Sequence, residues 1–342
     1  MIAPASSLYV PSESTDAQPT SVQPLLVLIP VFNDWEAVRQ LLPLLSEALV
    51  DAGLSAEVLL LDDGSTLDCR QLGTLQNLRG LERVRVLELA RNLGHQRAIA
   101  VGLAWVRDQC EGHAVIICDG DGEDHPADIP RLLREYQAQG RRKIIFAGRT
   151  RRHESWLFQA CYRIYQVLHW TLTGYRVRVG NFSVLPPQAV ARLAVISETW
   201  NHYAAAVFNS RLEYAIVPTP RGRRLGGVSR MNFTALVIHG LSALSVFSHV
   251  IGVRLLLATG AMAVATLAAL VGVLALAYWQ QGAAPAWLPL LLGLLLLILA
   301  QQVIVASSFV LLVLSNRQGM SFLPLREYPF FVSRVLTIYG SE

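Results

Sequence analysis

Residues 114–124 read AVIICDGDGED, an unbroken apolar run that ends in a cluster of acids. A short run of this kind, with no polar alternation, reads as a strand covered on both faces. Four more precede or follow it: PLLVLIP (24–30), EVLLLD (57–62), RVRVLELA (83–90) and KIIFAG (143–148). The segments between them, such as WEAVRQLLPLLSEALVDAG and RAIAVGLAWVRDQC, repeat apolar residues at helical spacing. Alternating helices and doubly covered strands predict an α/β domain, a mostly parallel sheet between helices. Ligands of such sheets bind beyond the carboxyl ends of the strands. The acids gather there: Pro30-Val31-Phe32-Asn33-Asp34 closes the first run, Asp62-Asp63-Gly64-Ser65 the second, and Asp119 to Asp124 the fourth.

Asp119, Asp121 and Glu123 alternate along the last of these loops. Hard divalent cations such as Mg²⁺ or Mn²⁺ take carboxylate oxygens and share them with substrate phosphates, so these three are the candidate metal ligands. An acidic turn or helix cap uses the same residue types, but two acidic clusters ending two strands of one sheet favour a site. A calcium loop of EF-hand type is excluded, because its sixth position is Asp124 instead of Gly and its twelfth is Pro130 instead of Glu. Neither GxGxxG nor GxxxxGK[ST] follows the first strand, so metal and arginine must hold any phosphate.

The chain has 342 residues, with 29 Lys and Arg against 25 Asp and Glu and a net charge of +4. No Asp, Glu, Lys, Arg or His occurs from 255 to 316. That stretch excludes a purely soluble protein and accommodates two crossings of about 20 residues each. Spans are expected at 253–279 and 287–314, joined by a turn around Pro285. Arg221, Arg223, Arg224, Arg230 and Arg254 flank the entry and Arg317, Arg326 and Arg334 the exit, while the joining loop has no basic residue. The positive-inside rule then predicts that the domain and both ends of the hairpin face the cytoplasm. Residues 1–22 read as a disordered leader, 23–230 as the α/β domain, 231–252 as an interfacial helix and 315–342 as a cytoplasmic tail. In the interfacial segment Phe233, Leu236, Val237, Leu241, Leu244 and Phe247 share one helical face, with His239, Ser242 and His249 opposite. Trp156 to Trp170 is a second aromatic-rich helix suited to headgroup depth. Gly and Ala in the charge-free helices allow packing between protomers, so a homo-oligomer is possible. Nucleic acid is not an expected partner.

Together VLIPVFND, VLLLDDGSTLD, ARNLGHQRAIAVGL and DGDGED, over residues 24 to 255, resemble glycosyltransferase family 2 with its GT-A nucleotide-sugar-binding domain. Within it they are similar to the branch of dolichol-phosphate mannose synthases and bacterial polyprenyl-phosphate sugar transferases. The resemblance implies that Pro30, Phe32, Asp34 and Asp63 line the nucleotide, and that Asp119 and Asp121 hold metal and diphosphate, with Gly120 giving room for the donor. GRRLGGVSR resembles the segment that closes over the donor, which makes Arg224 and Arg230 candidates for its pyrophosphate. FAGRTRRHESW resembles the acceptor-phosphate segment, implying Arg149 and Arg152, with Arg151 beside them. Gly180-Asn181-Phe182-Ser183 stands where relatives read G-D-F-R, so no acid or arginine is transferred to those positions. Glu198 lies near a catalytic acid of some members, and Asn201, His202 and Tyr203 are candidate readers of sugar hydroxyls.

The implied reaction is metal-dependent and inverting, moving one sugar from a nucleotide sugar to polyprenyl phosphate at the bilayer. A phosphate monoester is largely ionised near neutral pH and needs little help from a base. Alternatives are direct glycosylation of a finished lipid such as ceramide, diacylglycerol or lipid A, with Glu198 as base, and a membrane-anchored scaffold that binds nucleotide sugar without turnover. A processive synthase is disfavoured by the lack of Q-x-x-R-W.

Overall fold

The computed structural model describes residues 23–149, 156–175, 179–220, 222–226, 233–279, 285–318 and 322–340. The leader 1–22, Arg151, Arg152 and Arg230 lie outside them, as does the side chain of Arg149.

All five apolar runs form strands: β1 (Leu25–Val31), β2 (Ala56–Asp62), β3 (Leu81–Leu89), β4 (Ala114–Ile117) and β5 (Ile144–Arg149). Every residue of β1 and β4 is buried, as a strand sandwiched between helices requires. β6 (Ser183–Leu185), β7 (Tyr214–Thr219) and β8 (Val332–Tyr339) complete one sheet in the order β7-β5-β6-β4-β1-β2-β3-β8. Pairings β1–β2, β1–β4, β2–β3 and β5–β7 are parallel, while β3–β8, β4–β6 and β5–β6 are antiparallel. The sheet is therefore mixed, and β6 and β8, the strands that run against the others, are among the three that sequence pattern did not reveal.

Two apolar layers cover the sheet. On one side α1 (Trp35–Asp51) and α3 (Ile129–Ala138) bury Trp35, Leu41, Leu45, Leu132 and Tyr136 against Val27, Ile29 and Val58. On the other, α2 (His95–Gln109), α5 (Pro187–Leu193) and α6 (Tyr203–Asn209) pack on Leu28, Leu59 and Phe146. α2 lies so close that a Cβ on Gly102 would stand 2.5 Å from Leu61 and 2.7 Å from Leu28. Its apolar residues, Ile99, Val101, Leu103 and Val106 among them, suit a helix buried on most of its circumference.

α4 (Trp156–Thr173) and α7 (Phe233–Ser245) meet where the Tyr165 hydroxyl donates to the Gly240 carbonyl at 3.3 Å. Ile164, Val167, Leu168 and Trp170 of α4, with Val237, Ile238 and Leu241 of α7, are exposed apolar residues. The structure corrects the facing expected of α7. Its other side is packed too, with Ala243, and Val246 and Phe247 in the turn that follows, in the core and His239 against His202. A helix apolar on two sides can join the domain and keep an apolar outer face, which a single-face reading misses.

α8 (Ser248–Trp279) and α9 (Leu288–Gln318) are long and apolar enough to cross a membrane. They pack on each other, and Gln302 Nε2 donates to Thr266 Oγ1 at 3.3 Å across the pair. Their outer side chains, such as Leu257, Val264, Leu290 and Ile304, have no protein cover. Both helices exceed the expected spans at the ends nearest the domain, starting at 248 and running to 318. Arg254, near the start of α8, donates to the Thr171 carbonyl of α4 at 2.8 Å.

Residues 315–342 are not simply a tail. After α9 the chain returns through α10 (Pro324–Glu327) to the sheet edge, where β8 pairs with β3 and Arg334 makes two bonds of 2.6 and 2.8 Å to Glu88. Trp200 of the domain packs against this segment with its ring tilted, 4.0 Å from Phe322 and 5.2 Å from Phe331 between ring centres. Both ends of the helical hairpin are thereby fastened to one domain. Alternation in β8 is obscured by its position on an edge, half exposed, so sequence pattern alone leaves it unassigned.

Candidate active site

The carboxyl ends of β1 and β2 are tied by one residue. Asn33, at φ +52°, accepts at Oδ1 from the Thr66 and Leu67 N–H groups at 2.8 and 2.9 Å, and its own N–H donates to Ser65 Oγ at 2.8 Å. Asn tolerates the left-handed region, which suits it to this turn. Trp35 Nε1–H fastens the same loop through the Leu67 carbonyl at 2.9 Å. Asp62 Oδ1 accepts from the Ser65 N–H at 2.8 Å. Asp63 is 3% exposed, and its two oxygens accept from the Leu93 N–H at 2.6 Å and the Gly94 N–H at 2.9 Å. It thus anchors the loop entering α2, a correction to its expected place beside the nucleotide: burial leaves no face for a ligand. Pro30 is buried beneath the loops and Phe32 is exposed at their rim.

After β4 the chain folds into a tight acidic turn. Asp124 Oδ2 accepts from the Asp119 N–H at 3.1 Å, and Asp121 Oδ1 from the Glu123 N–H at 2.9 Å. Gly120 sits against β1, its hypothetical Cβ 3.2 Å from the Pro30 carbonyl oxygen. Gly122 has φ +79°, and a Cβ there would collide with the Leu225 side chain. That contact belongs to the segment 222–226, which lies on the turn through the Leu225 N–H to Asp121 O bond at 2.9 Å and the Gly222 N–H to Glu123 O bond at 2.8 Å. Arg224 follows from this docking. Its Nη1 donates to Asp121 Oδ2 at 3.0 Å, its Nη2 to Asp34 Oδ2, and its Nε to the Gly226 carbonyl at 2.9 Å. Burial and then Asp119 raise the Asp121 carboxyl above the ordinary range, with Arg224 pulling the other way.

A polar relay reaches the same turn from below. The Tyr203 N–H donates to Gln96 Oε1 at 2.8 Å, Gln96 Nε2 to Asn181 Oδ1 at 3.1 Å, and Asn181 Nδ2 lies 2.9 Å from His95 Nε2. His95 Nε2 stands 3.2 Å from Asp119 Oδ1. Burial disfavours charge on His95, but Asp119 outweighs it and its pKa is raised. The Tyr203 hydroxyl is spent on Ser183 at 2.7 Å inside the core, so it is not available to a sugar. Sequence reading missed His95 and gave Asn181 no role; the one signal was Asn181 standing where an acid is usual.

The structure brings together Asp34, Asp119, Asp121 and Arg224, around Gly120. Glu198 stands apart from them: its carboxylate accepts from Ser197 at 2.9 Å and Asn209 at 3.5 Å, by the turn that leads into α6. Among the described residues no three His, Cys, Asp or Glu side chains converge as a metal-binding group, so the set Asp119, Asp121 and Glu123 is not assembled. The Glu123 N–H and Arg224 already occupy both Asp121 oxygens. What fits is a pair, Asp119 and Asp121, of a kind that suits an ion completing its shell with phosphate and water. Burial first and then the Asp119 charge raise the Asp121 pKa, and a divalent cation would relieve the second of these.

A mixed sheet with acids beyond β1, β2 and β4, closed by an arginine-bearing segment, is the arrangement of a GT-A glycosyltransferase domain. The chain belongs to glycosyl transferase family 2, whose model matches residues 26–206. Its relatives include an uncharacterized glycosyltransferase of Bacillus subtilis, YkcC, 23% identical over 227 residues, 65% of this chain and 68% of that protein. Another is the undecaprenyl-phosphate 4-deoxy-4-formamido-L-arabinose transferase of Serratia proteamaculans, 29% identical over 153 residues. The match spans 45% of each protein, less than half of that relative's length. Among solved structures, glucosyl-3-phosphoglycerate synthase from Mycobacterium tuberculosis superposes with a TM-score of 0.48 at 13% identity, over 68% of this chain and 81% of that one.

Proposed function

We propose that the protein transfers one sugar, with inversion, from a nucleotide sugar of UDP type to undecaprenyl phosphate at the cytoplasmic face of a bacterial inner membrane. The observation that carries this reading is the placement of α7. It bears exposed Val237, Ile238 and Leu241, touches the domain beside the acidic turn through His239, and precedes α8. Acceptor and donor can meet only where a bilayer and these loops adjoin. The arginines flanking α8 and α9 are the sequence feature that supports a cytoplasmic junction.

Asp119 and Asp121 would hold Mg²⁺ or Mn²⁺, which supplies charge neutralisation for the departing diphosphate. Arg224 is placed to exchange its carboxylate partners for diphosphate oxygens, which a planar guanidinium grips with two parallel bonds. Asp34 orients that guanidinium before the donor arrives. The acceptor phosphate oxygen attacks the anomeric carbon from the face opposite the leaving diphosphate, already ionised and needing no base. Arg149 and Arg152 are proposed to meet this phosphate, Phe32 to border the nucleotide and Arg230 to assist at the pyrophosphate. Glu198, directed at Ser197 and Asn209, gives no support to a hydroxyl acceptor.

Mild acid treatment of the radiolabelled lipid product tests the linkage. Release of the sugar is expected of a glycosyl phosphate; a label that survives would replace this reading with glycosylation of a lipid hydroxyl.

A further inference from the structure

The outermost helix of the site contributes an imidazole that the acid chemistry does not use. His202 Nε2 lies 3.3 Å from His239 Nε2 across the α6–α7 junction, with ring centres 4.7 Å apart. His202 caps α6, its Nδ1 accepting from the Ala205 N–H at 3.3 Å. An accepting Nδ1 has no proton, so in neutral His202 the proton is on Nε2 and points to His239. His239 Nε2 is then the acceptor, and its own proton is on Nδ1. Burial lowers the pKa of His202 to about 3 and also lowers that of His239, so both rings are neutral near pH 7.

Among the described residues no protein group takes up the His239 Nδ1–H, and the residue is half-buried, reachable from outside. It lies close enough to the acidic turn to feel Asp119 and His95. Its neighbours in sequence, Val237 and Ile238, are exposed on the apolar face of α7. The donor therefore sits between an apolar surface and the reacting loops, where an amphiphile would place its polar head.

We infer that His239 binds the acceptor, its Nδ1–H donating to an oxygen of the lipid-borne phosphate, with His202 positioning it by fixing the tautomer. A neutral donor suits this place: it grips an anion without adding a cation that would pair with Asp119. The inference rests on the polyprenyl-phosphate reading above.

The test compares side chains that reproduce one ring nitrogen each. Asn places its amide nitrogen near Nδ1, and Gln places it near Nε2. Steady-state transfer to undecaprenyl phosphate would be measured for wild type, His239→Asn, His239→Gln and His239→Phe, with UDP binding followed calorimetrically as a check on the fold. Loss of a hydrogen bond to a charged group is expected to raise the acceptor KM about tenfold or more in the Gln and Phe variants. The Asn variant should stay within about twofold, and UDP affinity should not change. Equal KM values in Asn and Gln variants, an unchanged Phe variant, or a loss confined to UDP binding would each overturn the assignment. Wild-type protein that gives no product with undecaprenyl phosphate would instead remove the reading on which it rests.

Discussion

Arg224 joins Asp121 to Asp34, so one guanidinium spans the loops that follow β4 and β1. The pairing holds the closing segment on the acidic turn and occupies an Asp121 oxygen that a metal ion would take. On the function proposed above, loading the donor would open this pair. Arg224→Gln keeps a polar side chain but loses the fork, and kcat/KM for the nucleotide sugar should fall by about 100-fold. Steady-state kinetics with a saturating acceptor checks this, and a change under threefold would exclude Arg224 from the leaving-group side.

Gly122 combines φ +79° with a close approach to Leu225. A methyl group there meets both a strained backbone and a side chain on the closing segment. Gly122→Ala should lower stability by about 1–2 kcal/mol and reduce donor affinity together with turnover. Gly53, also at positive φ but with open space around it, serves as the control: its alanine variant should lose stability and keep its kinetics.

Protonation should loosen the α6–α7 junction. His202 has a folded pKa of about 3 against 6.5 for the free side chain, so between these values the unfolded chain binds more protons. Stability therefore rises with pH across that window and is lost as pH falls below 6.5, by about 2 kcal/mol from pH 7 to 5. His202→Asn preserves an N-cap and removes the titration. Thermal unfolding in nanodiscs should show a shallower pH dependence for this variant, and parallel curves would contradict the assignment.

The strand after the α8–α9 hairpin should be needed for the domain itself. β8 covers the edge of β3, and Phe331 packs on Trp200. Phe331→Ala should destabilise the domain by about 2 kcal/mol, seen as a lower unfolding midpoint of the detergent-purified protein. An unchanged midpoint would make the segment an accessory.

Sequence legibility followed local chemistry. Runs such as LLVLIPV and AVII announced buried strands because nothing polar interrupts them, and the acids at their ends marked the site. β6, three residues long, and β8, half exposed on an edge, have no period to read. Asp63 looked like a ligand contact because an acid after a strand has the same letter whether it faces solvent or two backbone N–H groups. His95, His202 and His239 come from three separate helical segments, and only the tertiary fold brings them near one turn. The roles of Arg149, Arg152 and Arg230 continue to rest on motif position.

The central claim is that Asp119 and Asp121 serve sugar transfer to a lipid phosphate. Purified protein in nanodiscs would be incubated with undecaprenyl phosphate, Mg²⁺ or Mn²⁺ and a panel of nucleotide sugars, beside Asp121→Ala, and the extracted lipid weighed by mass spectrometry. The account expects a metal-dependent gain of one sugar mass on the lipid phosphate with one donor, and its loss in the variant. An equal gain in Asp121→Ala, or no gain with any donor while another lipid is modified, would contradict it.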